Sequence, residues 1–383
     1  MRNGWVSLTG GAVAAALVVT GCASSAKSAA GSGTQGAGGG AATVTSAAAA
    51  GGMDALVAAA KKEGTLNVIA LPRDWTNYGA LLDGFTHKYG IKVNSANPDG
   101  SSADEITAIT SLKGQDRAPD VVDVGQSFAL SGAKQGLYAP YQVATWADIP
   151  ASLKEQSGLW TNDYGGYVSI ACDQSKVASC PTSFAALDNP TYKGKVALNG
   201  DPTKANAAFS AVWATALAKG GSLDDVKPGI DYFARLKKAG IYVPVQATAA
   251  TIESGETPIV LDWDYLNLTK ANALTAKGRS LSVAVPSDGH FSAYYAQAIS
   301  KYAPHPAAAR LWEEYLYSVE GQNGWLKGNA RPAELAALTA ARTVNASDAA
   351  KLPAVAGNPT FPSAAQTTTA KEIVTQNWAN AVK

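Results

Sequence analysis

The sequence predicts an α/β protein. From Gly64 onwards, short runs rich in β-branched residues alternate with stretches that carry apolar residues at helical spacing, the pattern of parallel βαβ units. Of the 383 residues, 46% are hydrophobic and 16% charged, which is typical of globular domains and not of membrane proteins or disordered chains. The sequence has no repeat of the length found in solenoids or propellers. This length would suit one long domain or two linked lobes.

The first half of the folded body opens with a predicted strand at Thr65–Ala70, a loop over Leu71–Asn77 and a helix over Tyr78–Tyr89. The helix stops at Gly90, which suits a left-handed cap. The elements predicted next are a strand at Ile91–Ser95, a helix opened by a capping box at Ser102–Glu105, a strand at Val121–Val124 and a strand at Tyr167–Ala171. The turn-forming residues just before this last strand predict a hinge at Gly165–Gly166.

The second half repeats the alternation of strands and helices. Its predicted elements are strands at Lys195–Leu198, Pro258–Leu261 and Leu281–Val285, and helices at Asn206–Lys219, Val226–Ala239 and Pro306–Val319. We expect a second crossing of the chain between lobes near Gly289.

The N-terminus has the features of a secretion signal. Arg2 precedes an apolar stretch, Gly11–Val19, that is too short to span a bilayer as a mature helix. The stretch runs into Val19-Thr20-Gly21-Cys22, which resembles the lipobox of bacterial lipoproteins. That resemblance implies a signal peptide over residues 1–21 and a mature chain that begins with a lipidated Cys22.

The segment after Cys22 is almost wholly Ala, Gly, Ser and Thr as far as Gly52, with too few large apolar side chains to offset the entropy of ordering it. We expect residues 22–52 to be a flexible tether. No later segment has the apolar length of a transmembrane helix, so the sequence predicts an exported protein held on the outer face of the cell membrane, or in the periplasm, by its lipid alone.

The two remaining cysteines, Cys172 and Cys180, would meet oxidising conditions in an exported protein, and we expect them to form a small-loop disulfide. A metal site is not expected, because the nearby sequence offers only Asp173 as a further ligand.

Charge and motifs narrow the functional classes. The net charge of +1 provides no basic field for nucleic acid. The chain has no GxSxG elbow, HExxH, Walker A or dinucleotide fingerprint, and its three histidines are far apart. We therefore expect no enzyme and no cofactor. A secreted α/β enzyme stays an alternative, although it would need a positioned base that the sequence does not reveal.

A series of short segments, in order, resembles type II periplasmic binding proteins, such as the polyamine, ferric-ion and phosphonate receptors of bacterial ABC importers. The matching segments are Asp74–Tyr78, Leu81–Leu82, Phe85, Gly90–Val93, Pro119–Val122, Gly136–Leu137, Pro181–Phe184, Tyr192–Val196, Gly255–Glu256, Val285–Gly289, Ala307–Arg310 and Ser318–Gln322.

This resemblance implies two α/β lobes joined by two crossings, with a hinged ligand cleft between them. The implied division puts residues 53–163 and 290–322 in one lobe, and residues 164–289 and 323–383, including C-terminal helices, in the other. It also implies a monomer that delivers a small solute to an ABC permease and its ATPase.

The candidate ligand-binding residues follow strand ends, where open α/β sheets bind their ligands. They are Asp74, Trp75, Tyr78, Gln126, Ser127, Asp201, Trp263, Asp264, Tyr265, His290 and Tyr294. The cluster Asp262–Tyr265 combines aromatic rings with carboxylates, which suits a cationic or amine-bearing ligand. In the alternative interpretation Trp263 packs under the sheet and the acids cap a helix. Trp75 and Trp263 are expected to face each other across the cleft.

The expected solute is a small polar organic compound, with polyamine-like and phosphonate-like compounds as the leading classes. Two departures weaken the polyamine class: His290 follows the Pro286–Gly289 turn, and Lys204 stands where a polyamine receptor would carry an acid. Ferric ion is a rival ligand that the sequence does not favour, because ferric receptors carry adjacent tyrosines near the position of Asp264–Tyr265, whereas the adjacent Tyr294 and Tyr295 align with a different segment. A sensor subunit that feeds a membrane kinase is a further alternative to a transport receptor.

Overall fold

The computed structural model describes residues 40–353, 355 and 361–382. The predicted signal peptide, the lipidation site Cys22 and the first part of the predicted tether lie outside these residues.

Within this range, helices and strands alternate as expected for an α/β protein, but most strand pairs are antiparallel and do not form the expected parallel βαβ units. The helices are α1 (Met53–Glu63), α2 (Tyr78–Tyr89), α3 (Ser102–Ser111), α4 (Gln126–Lys134), α5 (Asn206–Ala218), α6 (Lys227–Lys238), α7 (Ala249–Ser254), α8 (Asp264–Thr275), α9 (Pro306–Leu316), α10 (Val319–Lys327), α11 (Leu335–Ala340), α12 (Ala346–Ala349) and α13 (Ala364–Ala381). The strands are β1 (Thr65–Ile69), β2 (Lys92–Ala96), β3 (Val121–Gly125), β4 (Tyr138–Ala139), β5 (Thr161–Asp173), β6 (Val196–Leu198), β7 (Ile259–Trp263), β8 (Leu281–Ala284), β9 (Ser292–Ser300) and β10 (Arg331–Pro332).

Strand β5 connects two groups of strands. Its first half, up to Tyr167, pairs antiparallel with β9, which in turn pairs with β3. Its second half, from Val168, pairs antiparallel with β7, and β7 pairs in parallel with β6. We call the elements around β3 and β9 the first lobe, and those around β6, β7 and β8 the second lobe. The parallel pair β1–β2 precedes β3 in the chain, and β1 packs on β3 in the first lobe.

The turn-forming residues Asp163–Gly166 do not precede the strand as expected, because they lie inside β5, all of whose residues are buried. The two glycines allow neighbouring atoms to approach the β5 main chain closely. A Cβ at Gly165 would collide with the Ala293 carbonyl, and one at Gly166 would collide with the Asp264 carboxylate. They mark the point at which β5 passes from one lobe to the other. Whether the lobes hinge there stays a prediction.

The start of α3 and the end of α9 differ from the sequence prediction. The capping box at α3 uses Ser101 and Asp104, one residue earlier than expected, so Ser102 and Glu105 are free to face β3. The helix expected over Pro306–Val319 ends at Leu316. Ser318 caps a new helix there by accepting a hydrogen bond from the Gly321 N–H at 3.2 Å, which turns the chain.

The predicted lobe boundary at residue 323 falls inside α10. This helix packs on α2 and α9 as well as on β10 and α12. The division of the chain between the two lobes stays a prediction.

The core of the second lobe is built on α5, which is apolar almost all round. Its residues from Asn206 to Ala216 are all buried, and the helix packs on α6 and on the sheet. Trp213 in this helix is fully buried. Among the described residues, no helix combines the length and apolar character needed to cross a membrane.

Residues 40–52 are attached to the folded body, in contrast to the predicted free tether. Arg310 of α9 is only 1% exposed. Its guanidinium donates to the Val44 carbonyl at 2.6 Å and to the Ala42 carbonyl at 2.9 Å. The Gln142 N–H donates to the Thr45 carbonyl at 2.8 Å. A buried guanidinium needs acceptors for its donors, and this otherwise featureless segment supplies them as main-chain carbonyls.

Cys172, at the end of β5, is joined to Cys180 in a disulfide, with the two Cα atoms 5.7 Å apart. Cys172 is fully buried. The bond ties the end of the central strand to the loop that follows it.

We predict that replacing both cysteines by serine lowers the free energy of unfolding by about 2 to 3 kcal/mol, because the bond closes a short loop in the unfolded chain. Chemical denaturation measures the loss. Reductant should destabilise the wild type to the same extent and leave the double variant unchanged. Two reactive thiols besides Cys22 in unreduced, denatured wild-type protein would contradict the bond.

Candidate ligand-binding site

A cavity of about 350 Å³ lies between the two lobes. The first lobe contributes the loop after β1, the start of α3, one residue of β3 and one of β9. The second lobe contributes the loop after β6, the start of α5, the segment before α7, and α8. The residues from the first lobe are Ala70, Pro72, Asp74, Trp75, Asp99, Gly100, Ser101, Ser102, Asp104, Glu105, Asp123 and Tyr295. Those from the second lobe are Asn199, Gly200, Asp201, Lys204, Ala205, Asn206, Ala207, Gln246, Ala247, Thr248, Ala249, Leu266, Thr269 and Lys270.

The loop after β1 carries Trp75 into this cavity. Tight turns shape the loop: the Trp75 N–H donates to the Pro72 carbonyl at 3.0 Å, and Thr76 and Asn77 both have positive φ, at 37° and 72°. Edge-to-face packing with Tyr295, at 5.6 Å between ring centroids, holds the indole. The result is an aromatic wall formed by Trp75 and Tyr295.

Asp123 places a buried carboxylate at the cavity. Its Oδ2 accepts hydrogen bonds from the hydroxyls of Tyr78 and Tyr164, each at 2.7 Å. Its Oδ1 is buried and has no hydrogen-bond partner among the described residues. Burial raises the pKa of Asp123 to about 7, against the two tyrosine hydrogen bonds, which lower it. An acceptor oxygen that is oriented and unpaired beside a cavity is suited to a donor on a ligand.

A hydrogen-bond network behind Asp123 fixes the orientation of this carboxylate. The Trp75 indole N–H donates to the Tyr164 hydroxyl at 2.8 Å, which connects the aromatic wall to the carboxylate. The Gln297 amide donates to the Tyr78 hydroxyl at 2.8 Å and to the Asp163 carboxylate at 3.1 Å. Burial and the nearby Asp123 charge raise the pKa of Asp163 well above its ordinary value. Two carboxyl groups therefore share one dry network.

The start of α3 supports β3 directly. Glu105 is 2% exposed and accepts a hydrogen bond from the Asp123 N–H at 2.9 Å. The Ser102 hydroxyl accepts from the Gly125 N–H at 3.2 Å. These two side chains were expected to cap the helix, but they satisfy the main chain of β3 at the cavity. Burial raises the pKa of Glu105 well above its ordinary value.

The second lobe presents cationic and amide groups. Lys270 pairs with Asp262 at 2.6 Å, and the Asn199 amide donates to the same carboxylate oxygen at 3.0 Å. Helix α5 starts at Asn206 without a side-chain cap or an acidic residue in its first turn. The Asn206 Nδ2 is buried and has no partner within the described structure. This end of the cavity can therefore hold an anionic or carbonyl group.

Of the predicted ligand-binding residues, Asp74, Trp75 and Asp201 line the cavity. Asp201 also caps its own loop, because its carboxylate accepts from the Thr203 N–H and hydroxyl, both at 2.8 Å. Both hydrogen bonds use the Oδ1 atom of Asp201, so Oδ2 is the oxygen available to a ligand.

The cluster Trp263–Tyr265 does not form the expected loop. Strand β7 continues to Trp263, and α8 begins at the next residue, so the Trp263 and Tyr265 rings lie stacked and buried, with centroids 6.2 Å apart. Trp263 does not line the cavity but packs on Tyr295, which does, with ring centroids 6.4 Å apart. The expected pair of indoles facing each other across the cleft is therefore wrong, and the alternative, Trp263 packed under the sheet, describes its position.

Asp264 is occupied by an internal ion pair and has no exposed surface. It accepts from the Arg331 guanidinium at 2.7 Å and from the Tyr167 and Tyr265 N–H groups, each at 3.0 Å. Burial raises its pKa, and Arg331 opposes that rise. The Asp264 carboxylate thus links α8 to β5 and β10. It does not line the cavity.

The remaining candidates do not line the cavity. Tyr78 is fully buried and acts through Asp123. Gln126 accepts from the Asn162 amide at 3.0 Å, and the Ser127 hydroxyl is buried without a partner in the described part of the chain. His290 is not among the lining residues. Tyr294 packs on Phe361, with centroids 6.1 Å apart, on the side of β9 away from the cavity.

Sequence reasoning missed Asp123, Glu105, Asn206 and Lys270. For Asp123 a signal was present, because a single acid interrupts the apolar run Val121–Val124, and a charge inside a buried strand needs a partner. Glu105 was hidden by its helix-capping pattern. Asn206 and Lys270 occupy positions that the sequence alone cannot distinguish from exposed helix positions.

Solved structures with this fold are two-lobed periplasmic binding proteins. AfuA from Actinobacillus pleuropneumoniae, solved with fructose-6-phosphate bound, matches with a TM-score of 0.66 and 18% identity over 83% of this chain and 98% of AfuA. A periplasmic thiamin binding protein matches with a TM-score of 0.65 and 17% identity over 83% and 96% of the two chains. Iron-bound HitA from Pseudomonas aeruginosa matches with a TM-score of 0.58 and 20% identity over 81% and 97%.

The family model described as bacterial extracellular solute-binding protein matches residues 116–356, which is more than half of the chain. The chain belongs to this family. Its members are exported binding proteins of ABC importers and not enzymes, which agrees with the fold and with the class predicted from the sequence.

The geometry predicts different effects for the two tryptophans. Trp263→Ala should lower the free energy of unfolding by about 3 to 5 kcal/mol, because it leaves a cavity in a packed core. Trp75→Ala should cost clearly less, because the Trp75 side chain is partly exposed on the cavity wall. Chemical denaturation of both variants measures the difference. Equal losses would contradict the assignment of Trp75 to the cavity and Trp263 to the core.

Proposed function

We propose that this protein is the receptor of an ABC importer that closes over a small, amine-bearing polar organic solute and delivers it to a permease and its ATPase. Polyamine-like and phosphonate-like compounds are the leading classes. The observation that carries the proposal is the unpaired Oδ1 of Asp123, buried at the cavity beside the aromatic wall of Trp75 and Tyr295.

The charge of the lining favours an amine. Six carboxyl groups line the cavity against two lysines, and one of those lysines, Lys270, is already paired with Asp262. A protonated amine at Asp123 would gain a charge-assisted hydrogen bond and would lie near two aromatic rings. It would also offset the cost of an ionised carboxylate in a buried site.

The uncapped start of α5 supports a second functional group on the same solute. Free N–H groups at a helix start bind phosphate, phosphonate or carboxylate, and Lys204 and the Asn206 amide line the same part of the cavity. A compound with an amine at one end and a phosphonate at the other would use both lobes. Such a solute would bind the closed state more tightly than the open state, because only the closed state brings both groups of contacts together.

The position of the two adjacent tyrosines speaks against ferric ion. Hard Fe(III) would need several oxygen ligands on one side, but neighbouring residues of a strand point to opposite faces. Tyr295 lines the cavity, whereas Tyr294 packs on Phe361. Among the residues that the structure describes, no group of three or more His, Cys, Asp and Glu side chains is arranged to hold a metal.

We predict that Asp123→Asn weakens binding of a cationic solute by about thirtyfold or more, since it removes a buried charged partner. A panel of polyamines, aminoalkylphosphonates, sugar phosphates and ferric citrate, screened by thermal shift and followed by calorimetry, identifies the solute. Asp54→Asn, the same change at an exposed site outside the cavity, is the control.

The same variant tests the pH dependence. Because the pKa of Asp123 is raised to about 7, the free receptor must release a proton to bind a cation at lower pH. Wild-type affinity for an amine that stays protonated should therefore be about tenfold weaker at a pH near 6 than near 8. Asp123→Asn should abolish this difference. Tightest binding of ferric citrate, or of an anion without an amine, would contradict the amine-bearing class.

We also propose that Cys22 anchors the mature protein to the membrane, supported by the lipobox resemblance and the small-residue segment behind it. We predict that Cys22→Ala moves the exported protein from the membrane fraction to the soluble fraction. Immunoblotting of fractionated cells measures the distribution. Soluble wild-type protein, partitioned like the variant, would rule the anchor out.

A further inference from the structure

Helix α13, at the C-terminus, bridges the two lobes. It packs on α4 of the first lobe and on α5 and α6 of the second lobe. The family match covers residues 116–356 and ends before α13 begins.

The contacts of α13 with the second lobe are apolar and well packed. Trp378 is 8% exposed and lies against Phe233 and Tyr242, with centroids 5.6 and 6.2 Å away. Val374, one turn earlier, is fully buried. This end of the helix is firmly attached to the second lobe.

A lysine of α13 lies at the contact with the first lobe. The Lys371 ammonium lies over the ring of Phe128 in α4 at 4.8 Å and over that of Phe209 in α5 at 5.0 Å. It donates to the Pro202 carbonyl at 3.0 Å, in the loop whose neighbours Asp201 and Lys204 line the cavity. Within the described residues no carboxylate pairs with this ammonium. A lysine therefore occupies the point where both lobes meet the helix.

We infer that α13 is a releasable strap between the lobes, and that Lys371 is the positioning residue that keeps the strap able to release. The strap stays on the second lobe when the lobes separate, because its apolar face is buried there. The Lys371 ammonium leaves Phe128 and returns to water, so its hydration offsets part of the cost of opening. An apolar side chain in its place would hold the lobes together.

The direction of the pKa shift agrees with this mechanism. Burial lowers the pKa of Lys371 to about 8, and the charge of Asp201 opposes the shift. Asp201, from the loop before α5, is the charged group that faces Lys371, while α4 and α5 present rings. A lysine whose pKa is lower in the strapped state binds protons more strongly when the strap is released. Deprotonation should therefore favour the strapped state.

The test measures lobe separation in the full chain without a solute, so it does not depend on the proposed ligand. Spin labels at Asp116→Cys in the first lobe and Lys193→Cys in the second, in a Cys22→Ala background, report the distance by pulsed electron paramagnetic resonance. Both positions are exposed. The variant is Lys371→Met, which keeps the apolar stem over the rings and removes the charge. Lys238→Met, at an exposed position on α6, is the matched control.

We expect Lys371→Met to shift the distances towards the shorter, strapped population at neutral pH. Raising the pH from about 7 to about 9.5 should raise the ratio of strapped to released wild-type molecules by on the order of tenfold, because the pKa lies near 8 in the contact and near 10.4 in water. Lys371→Met should not respond to pH, and Lys238→Met should behave as the wild type. Distances that coincide for wild type and Lys371→Met at both pH values, or that lengthen in Lys371→Met, would overturn the proposal.

Discussion

Strand β5 pairs with strands of both lobes, and the positions of the other elements follow from that constraint. Its first half pairs with β9 and its second half with β7, so one continuous buried segment aligns the two lobes. The exchange of partners requires two glycines, because the Ala293 main chain and the Asp264 side chain approach the strand where a Cβ would stand. The same strand carries Tyr164, whose hydroxyl orients Asp123. The element that joins the lobes therefore also orients Asp123, the carboxylate of the candidate site.

In the candidate site, the buried carboxylate of Asp123 is oriented by hydrogen bonds but only partly satisfied by them. Asp123 has one oxygen held by two tyrosines and the other unpaired, and Trp75 completes the network from the cavity side. A buried acceptor without a hydrogen bond destabilises the folded protein. Such groups are found at functional sites, where a bound ligand can supply the missing donor. In contrast, the ion pair of Asp264 with Arg331 is complete without a ligand. Although both acids are buried, only Asp123 has an oxygen left for a solute.

The two ends of the described chain extend beyond the two lobes in different ways. Residues 40–52 are attached through buried Arg310, which needs their carbonyl groups to satisfy its own donors. Helix α13 is attached through the apolar side chain of Trp378 and through the half-buried Lys371 nearer its middle. Arg310 donates to main-chain acceptors and gives a fixed attachment. The Lys371 ammonium has no carboxylate partner among the described residues, so water can compete with the protein for its donors.

The sequence alone determined the α/β class and the order of the segments that identify the family, because these depend on local periodicity and short motifs. It also placed most of the strands and the helices α2, α3, α5, α6 and α9 within a few residues, but not β9 or α8. It located the loop that carries Trp75 into the cavity. Only the tertiary structure decided which side chains face that cavity. Trp263 and Asp264 follow the apolar run Pro258–Leu261 as a ligand loop would, yet β7 continues through Trp263 and packing buries both side chains. Asp123 lies within an apolar run, and its role arises only when Tyr78, Tyr164 and the start of α3, all distant in sequence, meet around it. Burial and hydrogen-bond partners are set by such long-range contacts, which local pattern does not encode.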